Sequence, residues 1–291
     1  MSNASFVRTF MGFAIGDAFG SPFEGFPAEE ARRRLKYFEK KGKLPGELTD
    51  DTIQMLVLAE SLSNTIYFSP QDFAERLRMC YEAGLIRRIG PTSSKALENL
   101  RAGLSWRESG VKSNTCGSAM RVMPVGILYS FDLNLVEEYA VLQSLITHRD
   151  KEAIASSVAT ALTYACAFNG DSVEDMRDTV VEAVKAYDAY TTLLVERAFS
   201  GEFEYRGTVL ASDVVPAAIQ CFVYSEDFGD CLRKAVELGG DTDSIAAIAG
   251  GLKAACGFEP EVYPEPEVEE SELERVKRIA EKLERVYEFI K

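Results

Sequence analysis

Two short stretches of the 291-residue chain each set one hydroxyl and two carboxylates at the mouth of an apolar run. The first is Thr49-Asp50-Asp51, followed by Thr52-Ile53-Gln54-Met55-Leu56-Val57-Leu58-Ala59. The second is Gly239-Gly240-Asp241-Thr242-Asp243-Ser244, followed by Ile245-Ala246-Ala247-Ile248-Ala249-Gly250-Gly251. A single acid there would be a helix cap beside the positive end of the dipole. Two acids and a hydroxyl exceed what capping needs, and hard cations such as Mg²⁺ take carboxylate and hydroxyl oxygens as ligands. For either stretch alone, a capped helix with a polar first turn is the competing reading. Taken together, four aspartates carry four negative charges that two divalent cations would neutralise, whereas an uncompensated buried cluster is costly. The pair of stretches therefore predicts a two-metal site.

Three further segments bear groups that could act beside such a site. Pro22 stops a glycine-lined helix, and Glu24 falls on the loop after it. The polar run Lys112-Ser113-Asn114-Thr115-Cys116-Gly117-Ser118 can present backbone N–H groups to an anion, and an apolar helix carrying Arg121 follows. Cys116 would be reactive only with a lowered pKa. The one histidine, His148, stands in the break Thr147-His148-Arg149-Asp150 between two core helices, a position expected to face a pocket.

Apart from short turns, the elements that must position these groups all read as helices. Phe6–Phe19 carries Gly12, Gly16 and Gly20 on one face, so a close contact must compensate for their low helix propensity. Residues 28–41 form a charged, exposed helix, and residues 70–104 form two helices broken at Gly90-Pro91. Residues 134–145, 151–168, 172–199 (as one long helix) and 228–238 follow, with another helix opening at Asp213-Val214-Val215-Pro216. A last helix starts near the capping box Ser271-Glu272-Leu273-Glu274. Nothing shows the alternation of a strand or a βαβ rhythm, which predicts one all-α domain over 1–291.

A net charge of −14 argues against a general nucleic-acid or membrane surface, although bound cations could admit an anionic small molecule. Six scattered cysteines and a single histidine make a zinc cluster improbable. Cys80, Cys166, Cys221 and Cys256 are expected in the core, reduced, as in a cytoplasmic protein. The N-terminus lacks a basic segment followed by an apolar one, so no signal peptide is expected, and no stretch is apolar enough to span a membrane.

In their order along the chain, these segments resemble the ADP-ribosylglycohydrolase family, whose members include the enzyme that reactivates dinitrogenase reductase. The resemblance rests on Gly16-Asp17-Ala18-x-Gly20 with Glu24, Thr49-Asp50-Asp51-Thr52, Gly117-x-Ala119-Met120-Arg121-x-x-Pro124-x-Gly126, Thr147-His148 and Gly239-Gly240-Asp241-Thr242-Asp243-Ser244. It implies a compact all-α fold with two Mg²⁺ or Mn²⁺ ions in a central cleft. Carried over by position, the metal ligands are Thr49, Asp50, Asp51, Asp241, Asp243 and Ser244. Glu24 and Asp51 are the candidate catalytic carboxylates. Ser113, Cys116, Gly117, Ser118 and His148 are the candidate substrate-binding residues. Three positions depart from the common family pattern. Ser244 stands where threonine is frequent but keeps the hydroxyl, and Cys116 and Glu237 stand where asparagine is frequent.

The implied chemistry is hydrolysis at the anomeric carbon of ADP-ribose on a modified protein or small molecule, through an oxocarbenium-like state. Paired metals would position the sugar and acidify a water, Glu24 would move the proton, and the diphosphate would rest near Gly117 and Ser118. Two alternatives share these residues: a two-metal nucleotide-diphosphate phosphohydrolase and a non-catalytic binder of metal or ADP-ribose.

Overall fold

The computed structural model describes residues 5–65 and 67–291; Met1–Ala4, on which the expectation about the N-terminus partly falls, lie outside them. In chain order the helices are α1 (Phe6–Gly20), α2 (Ala28–Lys41), α3 (Asp50–Leu62), α4 (Pro70–Glu82), α5 (Pro91–Arg101), α6 (Trp106–Ser109) and α7 (Met123–Leu128). They continue as α8 (Leu133–Leu145), α9 (Lys151–Asn169), α10 (Val173–Val184), α11 (Ala189–Phe199), α12 (Ala211–Val223), α13 (Phe228–Glu237), α14 (Thr242–Ala255) and α15 (Glu270–Ile290). The chain is all-α, apart from two-residue strands β1 (Leu44–Pro45) and β2 (Pro266–Glu267), which pair in parallel. The buried apolar side chains form one cluster running from Phe6 to Leu283.

The centre of this cluster is the antiparallel pair α1 and α14. Both are buried on nearly all sides, as helices apolar around their whole circumference must be. The glycine face of α1 is what lets them touch. A Cβ on Gly12 would meet Ala254 Cβ at 2.4 Å, one on Gly16 the Ala246 carbonyl at 2.2 Å, and one on Gly20 the Thr242 carbonyl at 2.3 Å. Each step of four residues along α1 is matched by a step back along α14, so the C-terminus of α1 ends against the N-terminus of α14. Thr242 Oγ1 fastens this end by donating to the Gly20 carbonyl at 2.9 Å.

At Gly16 the opposing atoms are backbone and cannot swing aside. Gly16→Ala is therefore expected to lower stability by about 1–3 kcal/mol through overpacking, although alanine favours a helix by roughly 1 kcal/mol. Denaturant unfolding measures this directly. An unchanged or raised midpoint would mean that the two helices separate freely.

Several expected boundaries are corrected. Residues 172–199 form two helices, because Asp188 caps α11 by accepting from the Thr191 N–H at 2.8 Å. Its buried carboxylate also pairs with Lys151 at 2.7 Å. Arg121 precedes α7 instead of lying on it, since the helix starts at Met123 with Pro124 in its first turn. Cys256 is exposed and Cys80 only partly covered, so neither is a core cysteine; all six cysteines are free.

Candidate active site

Three helix ends converge on one cavity, and a carboxylate outside the two aspartate stretches holds them there. Asp17, on the last turn of α1, is fully buried. It accepts from Thr49 N (2.9 Å), Thr49 Oγ1 (2.8 Å), Thr52 N (3.2 Å) and Thr52 Oγ1 (2.5 Å). These bonds fix the start of α3 against α1, while the glycine contacts fix the start of α14 on the other side. Burial still outweighs the four donors and pushes the Asp17 carboxyl up to about 6. The backbone ahead of α14 is tied down as well. Gly25 N–H donates to the Gly240 carbonyl at 2.8 Å, and Gly240 N–H donates to the Phe26 carbonyl at 2.9 Å. Gly239 and Gly240 take φ +68 and +70°, the left-handed region that glycine adopts without strain.

The cavity, of about 210 Å³, is lined by Glu24, Asp50, Asp51, Asp241, Asp243 and Ser244 on one side. Thr92, Thr115, Cys116, Gly117 and His148 line the other, and Arg88 stands at Glu24. The two aspartate stretches, 190 residues apart in sequence, are thus brought together. Burial is the main cause that raises Asp50 to about 8 and Asp243 to about 6, and it raises Asp51 and Asp241 well above the ordinary range; neighbouring carboxylates add to it for Asp50, Asp51 and Asp241 and, through Asp17, for Asp243. Asp243 stands close enough to Glu24 and Asp241 for its charge to raise both.

The expected ligands are not placed alike. Thr49 is fully buried and caps α3, its Oγ1 accepting from Asp51 N at 3.2 Å and donating to Asp17, so it supports the wall without lining it. Asp51 Oδ1 is buried with no hydrogen-bond partner. An orphaned carboxylate oxygen among raised carboxylates is what an oxygen-liganded cation would satisfy, and the donor set fits Mg²⁺ or Mn²⁺. Among the described residues, no three His, Cys, Asp or Glu side chains are placed as a ligand group for a metal ion. Part of any ion's shell would therefore come from water or substrate oxygens, as Mg²⁺ prefers.

The substrate-side residues also divide. Cys116, Gly117 and His148 line the cavity. Ser118 does not, being fully buried with its Oγ accepting from Ser144 Oγ at 2.9 Å. Ser113 sits behind the wall, bonded to Thr92 Oγ1 at 2.9 Å and Thr115 Oγ1 at 3.2 Å. The Cys116 N–H is spent on the Val209 carbonyl (3.0 Å), which removes it from any anion-binding loop. Burial pushes the Cys116 thiol well up, Asp241 and Asp51 adding to it, so it stays protonated. Burial, with Arg121 nearby, lowers His148 to about 3 and keeps it neutral.

Glu24 is half exposed and pairs with Arg88 at 2.8 Å, which in turn holds Glu47 at 2.7 Å. Arg88 adopts φ +53°, an uncommon conformation for a side-chain-bearing residue. Glu24, Val209 and Asp241 also border a second groove of about 520 Å³, walled by Phe26, Pro27, Tyr205 and Leu238. The two spaces meet at Glu24. Asp17, Arg88 and Tyr205 are the positioning groups that sequence reading missed. Tyr205 accepts from Asp241 N at 3.0 Å and donates to the Thr208 carbonyl at 2.7 Å. For Asp17 alone a signal existed: it is the one charged residue in the apolar run from Thr9 to Gly20.

The profile of a family described as ADP-ribosylglycohydrolase matches residues 3–288. An uncharacterized protein of Archaeoglobus fulgidus is 44% identical over 87% of this chain and 88% of its own. The ADP-ribosylarginine hydrolase Tri1 of Pseudomonas putida is 29% identical over 86% of this chain and 71% of its own. Human ADP-ribosylhydrolase ARH3 is 25% identical over 84% and 83%. A solved structure described as an ADP-ribosylglycohydrolase-related protein complex superposes with a TM-score of 0.77 at 26% identity, covering 98% of each chain. With its profile spanning nearly the whole sequence and its helices following the same fold, the chain belongs to the ADP-ribosylglycohydrolase family.

Proposed function

We propose that the protein hydrolyses the glycosidic bond at the anomeric carbon of ADP-ribose, releasing it from a modified protein or small molecule in the cytoplasm. Family membership supports ADP-ribosyl hydrolysis in its broad form. The observation that carries the finer reading is the cavity wall of five acids, Glu24, Asp50, Asp51, Asp241 and Asp243, facing a wall of hydroxyls and a neutral imidazole. Six free cysteines suit a reducing compartment, and among the described residues no helix is long and apolar enough to cross a membrane.

Asp50, Asp51, Asp241, Asp243 and Ser244, with Thr49 behind them, would hold two divalent cations, Mg²⁺ or Mn²⁺. Such cations supply Lewis-acid positioning of ribose hydroxyls and a more acidic water. The chain's own groups do the rest. Glu24, where the two spaces meet, takes a proton from the attacking water as oxygen bonds to the anomeric carbon and the bond to the departing group breaks. His148 and the hydroxyls opposite hold the ribose-diphosphate end, and the second groove receives the departing group. The name of the Pseudomonas relative supports an arginine-linked substrate as the first to try.

The test is to incubate the protein and Mg²⁺ or Mn²⁺ with arginine-linked and serine-linked ADP-ribosyl peptides and identify the product. Free ADP-ribose is expected. AMP formed from ADP-ribose would identify a phosphohydrolase instead, and binding without product would identify a non-catalytic member.

The raised carboxyls also fix how stability depends on pH. The unfolded chain releases its aspartate protons near pH 4, whereas in the fold Asp17 and Asp243 hold theirs to about 6 and Asp50 to about 8. Between those limits the folded state binds more protons, so stability falls as pH rises. In chelator, the melting temperature is expected to drop from pH 5 to pH 8. Excess Mg²⁺ or Mn²⁺ is expected to remove most of that drop by binding the ionised cluster. Equal slopes with and without cation would speak against a metal site here.

A further inference from the structure

Arg121 is the largest fully buried side chain. Its guanidinium donates only to neutral acceptors: Gln143 Oε1 (2.9 Å), the Gln143 carbonyl (2.9 Å), Gln54 Oε1 (2.8 Å) and Thr147 Oγ1 (2.8 Å). The nearest carboxylate influence is Asp50, whose charge favours the guanidinium and which is reached through Gln54. Two of these bonds lead, through one further residue each, to the two walls of the cavity.

A guanidinium has donors and no acceptor, so the direction of every bond leading away from it is fixed. Thr147 Oγ1 accepts from Arg121, and its own proton is left for His148 Nδ1, 2.8 Å away and its other hydrogen-bond partner. An Nδ1–H would leave the buried Thr147 proton without an acceptor among the described residues, so Nδ1 is the bare nitrogen and Nε2 carries the hydrogen. Nε2 lies 3.0 Å from Thr115 Oγ1, which therefore accepts from the ring. Thr115 Oγ1 in turn donates to Thr92 Oγ1 at 3.2 Å, and both contact Ser113 Oγ at 3.2 and 2.9 Å. Thr92 and Thr115 line the cavity. On the opposite wall, Gln54 Oε1 accepts from Arg121, which orients its amide so that Nε2 donates to Asp50 Oδ2 at 2.9 Å.

We infer that Arg121 is a positioning residue that sets the hydrogen-bond polarity of both walls of the cavity. One arm holds His148 as the Nε2–H tautomer and commits the Thr115 proton to Thr92, so that the Thr92, Ser113 and Thr115 protons are spent on one another and Thr92 Oγ1 keeps a lone pair for a ligand hydroxyl such as a ribose OH. The other arm ties down one Asp50 oxygen. The arrangement also assigns work to Ser113, which reaches the ligand side only through its two threonine partners. The tautomer assignment stands whether or not ADP-ribose is the ligand; the ligand contact at Thr92 is tested with ADP-ribose as probe and rests on the reading above.

Because His148 is the only histidine, long-range ¹H–¹⁵N correlation spectra of the untagged, ¹⁵N-labelled chain report this ring alone. The expected pattern is a bare Nδ1 and a protonated Nε2 at neutral pH. An Nδ1–H ring or an even mixture in the wild-type protein overturns the inference, and this result does not depend on any variant folding. Thr147→Val removes the hydroxyl that passes the polarity on and is expected to give mixed tautomers. Thr147→Ser restores it and is expected to keep the wild-type pattern. A pure Nε2–H ring in Thr147→Val would show that Arg121 does not set the tautomer. Thr92→Val is expected to weaken ADP-ribose binding by about 2- to 10-fold, the loss of one neutral hydrogen bond. Unchanged affinity overturns the ligand contact at Thr92. Absence of ADP-ribose binding by the wild-type protein would overturn the proposed function and leave the tautomer assignment standing.

Discussion

Asp243→Asn is expected to lose turnover and bound metal together while making the metal-free fold more stable. The opposite signs arise because this one side chain is the junction of the cluster. Its charge raises Glu24, Asp50, Asp51 and Asp241. An asparagine amide can donate to either neighbouring carboxylate and carries no charge, so the cation-free protein is relieved of repulsion it otherwise bears. The same change removes an anionic oxygen from the ligand set. Outer-shell groups of metal sites already cost about 10- to 100-fold in affinity when removed, so a ligand should cost at least that. Turnover, metal content and melting temperature in chelator and in excess Mn²⁺ are the measurements. Asp243→Asn is expected to melt higher than wild type in chelator and to gain little from Mn²⁺. A variant that keeps its metal, or that melts lower in chelator, would show that Asp243 is an ordinary capping residue.

How much of this was legible in the sequence depends on the range of the interaction involved. The two hydroxyl-plus-acid triplets were visible because each is local: four or five residues state both the donor types and the apolar helix they open. The glycine face of α1 foretold a close contact but not its partner, because any helix of small residues would satisfy it. Asp17 showed only that a charge had been placed in an apolar helix. That it clamps Thr49 and Thr52 is a contact across 32 and 35 residues, which composition does not encode. Arg88 was invisible for the same reason, being joined to Glu24 across 64 residues from an irregular loop.

The residue-level errors have the same origin. The break at Asp188 was missed because helical periodicity continues through it, and only the cap and the Lys151 pair reveal the turn. Ser118 was grouped with Ser113 and Gly117 by adjacency, but a tight turn sends successive side chains in different directions, and Ser118 meets Ser144 in the core. His148 was correctly expected beside a pocket. Its neutral state follows from burial and from Arg121, neither of which the flanking residues disclose.

Glu24→Gln separates proton transfer from metal binding and from folding. Glu24 follows the short turn at Ser21–Phe23, is half exposed, and belongs to neither helix that opens the site. Arg88 loses one partner in the variant but keeps Glu47 at 2.7 Å and the Ser21 carbonyl at 3.1 Å, so the cavity rim should hold. Removing a general base typically costs about 10²- to 10⁴-fold in turnover, and a loss of that size is expected with metal content and ADP-ribose affinity little changed. The pH profile supplies an independent check. Desolvation and then the Asp243 charge raise the Glu24 carboxyl, while Arg88 pulls it down. A base works only when ionised, so activity falls on the acid side of its titration. Arg88→Ala removes the group that favours ionisation, and the acid limb of kcat/KM is expected to move to higher pH. In Glu24→Gln that limb should disappear along with most of the turnover. If Glu24→Gln turns over near the wild-type rate, or if Arg88→Ala leaves the acid limb in place, the proton goes elsewhere and the aspartate wall must activate the water without Glu24.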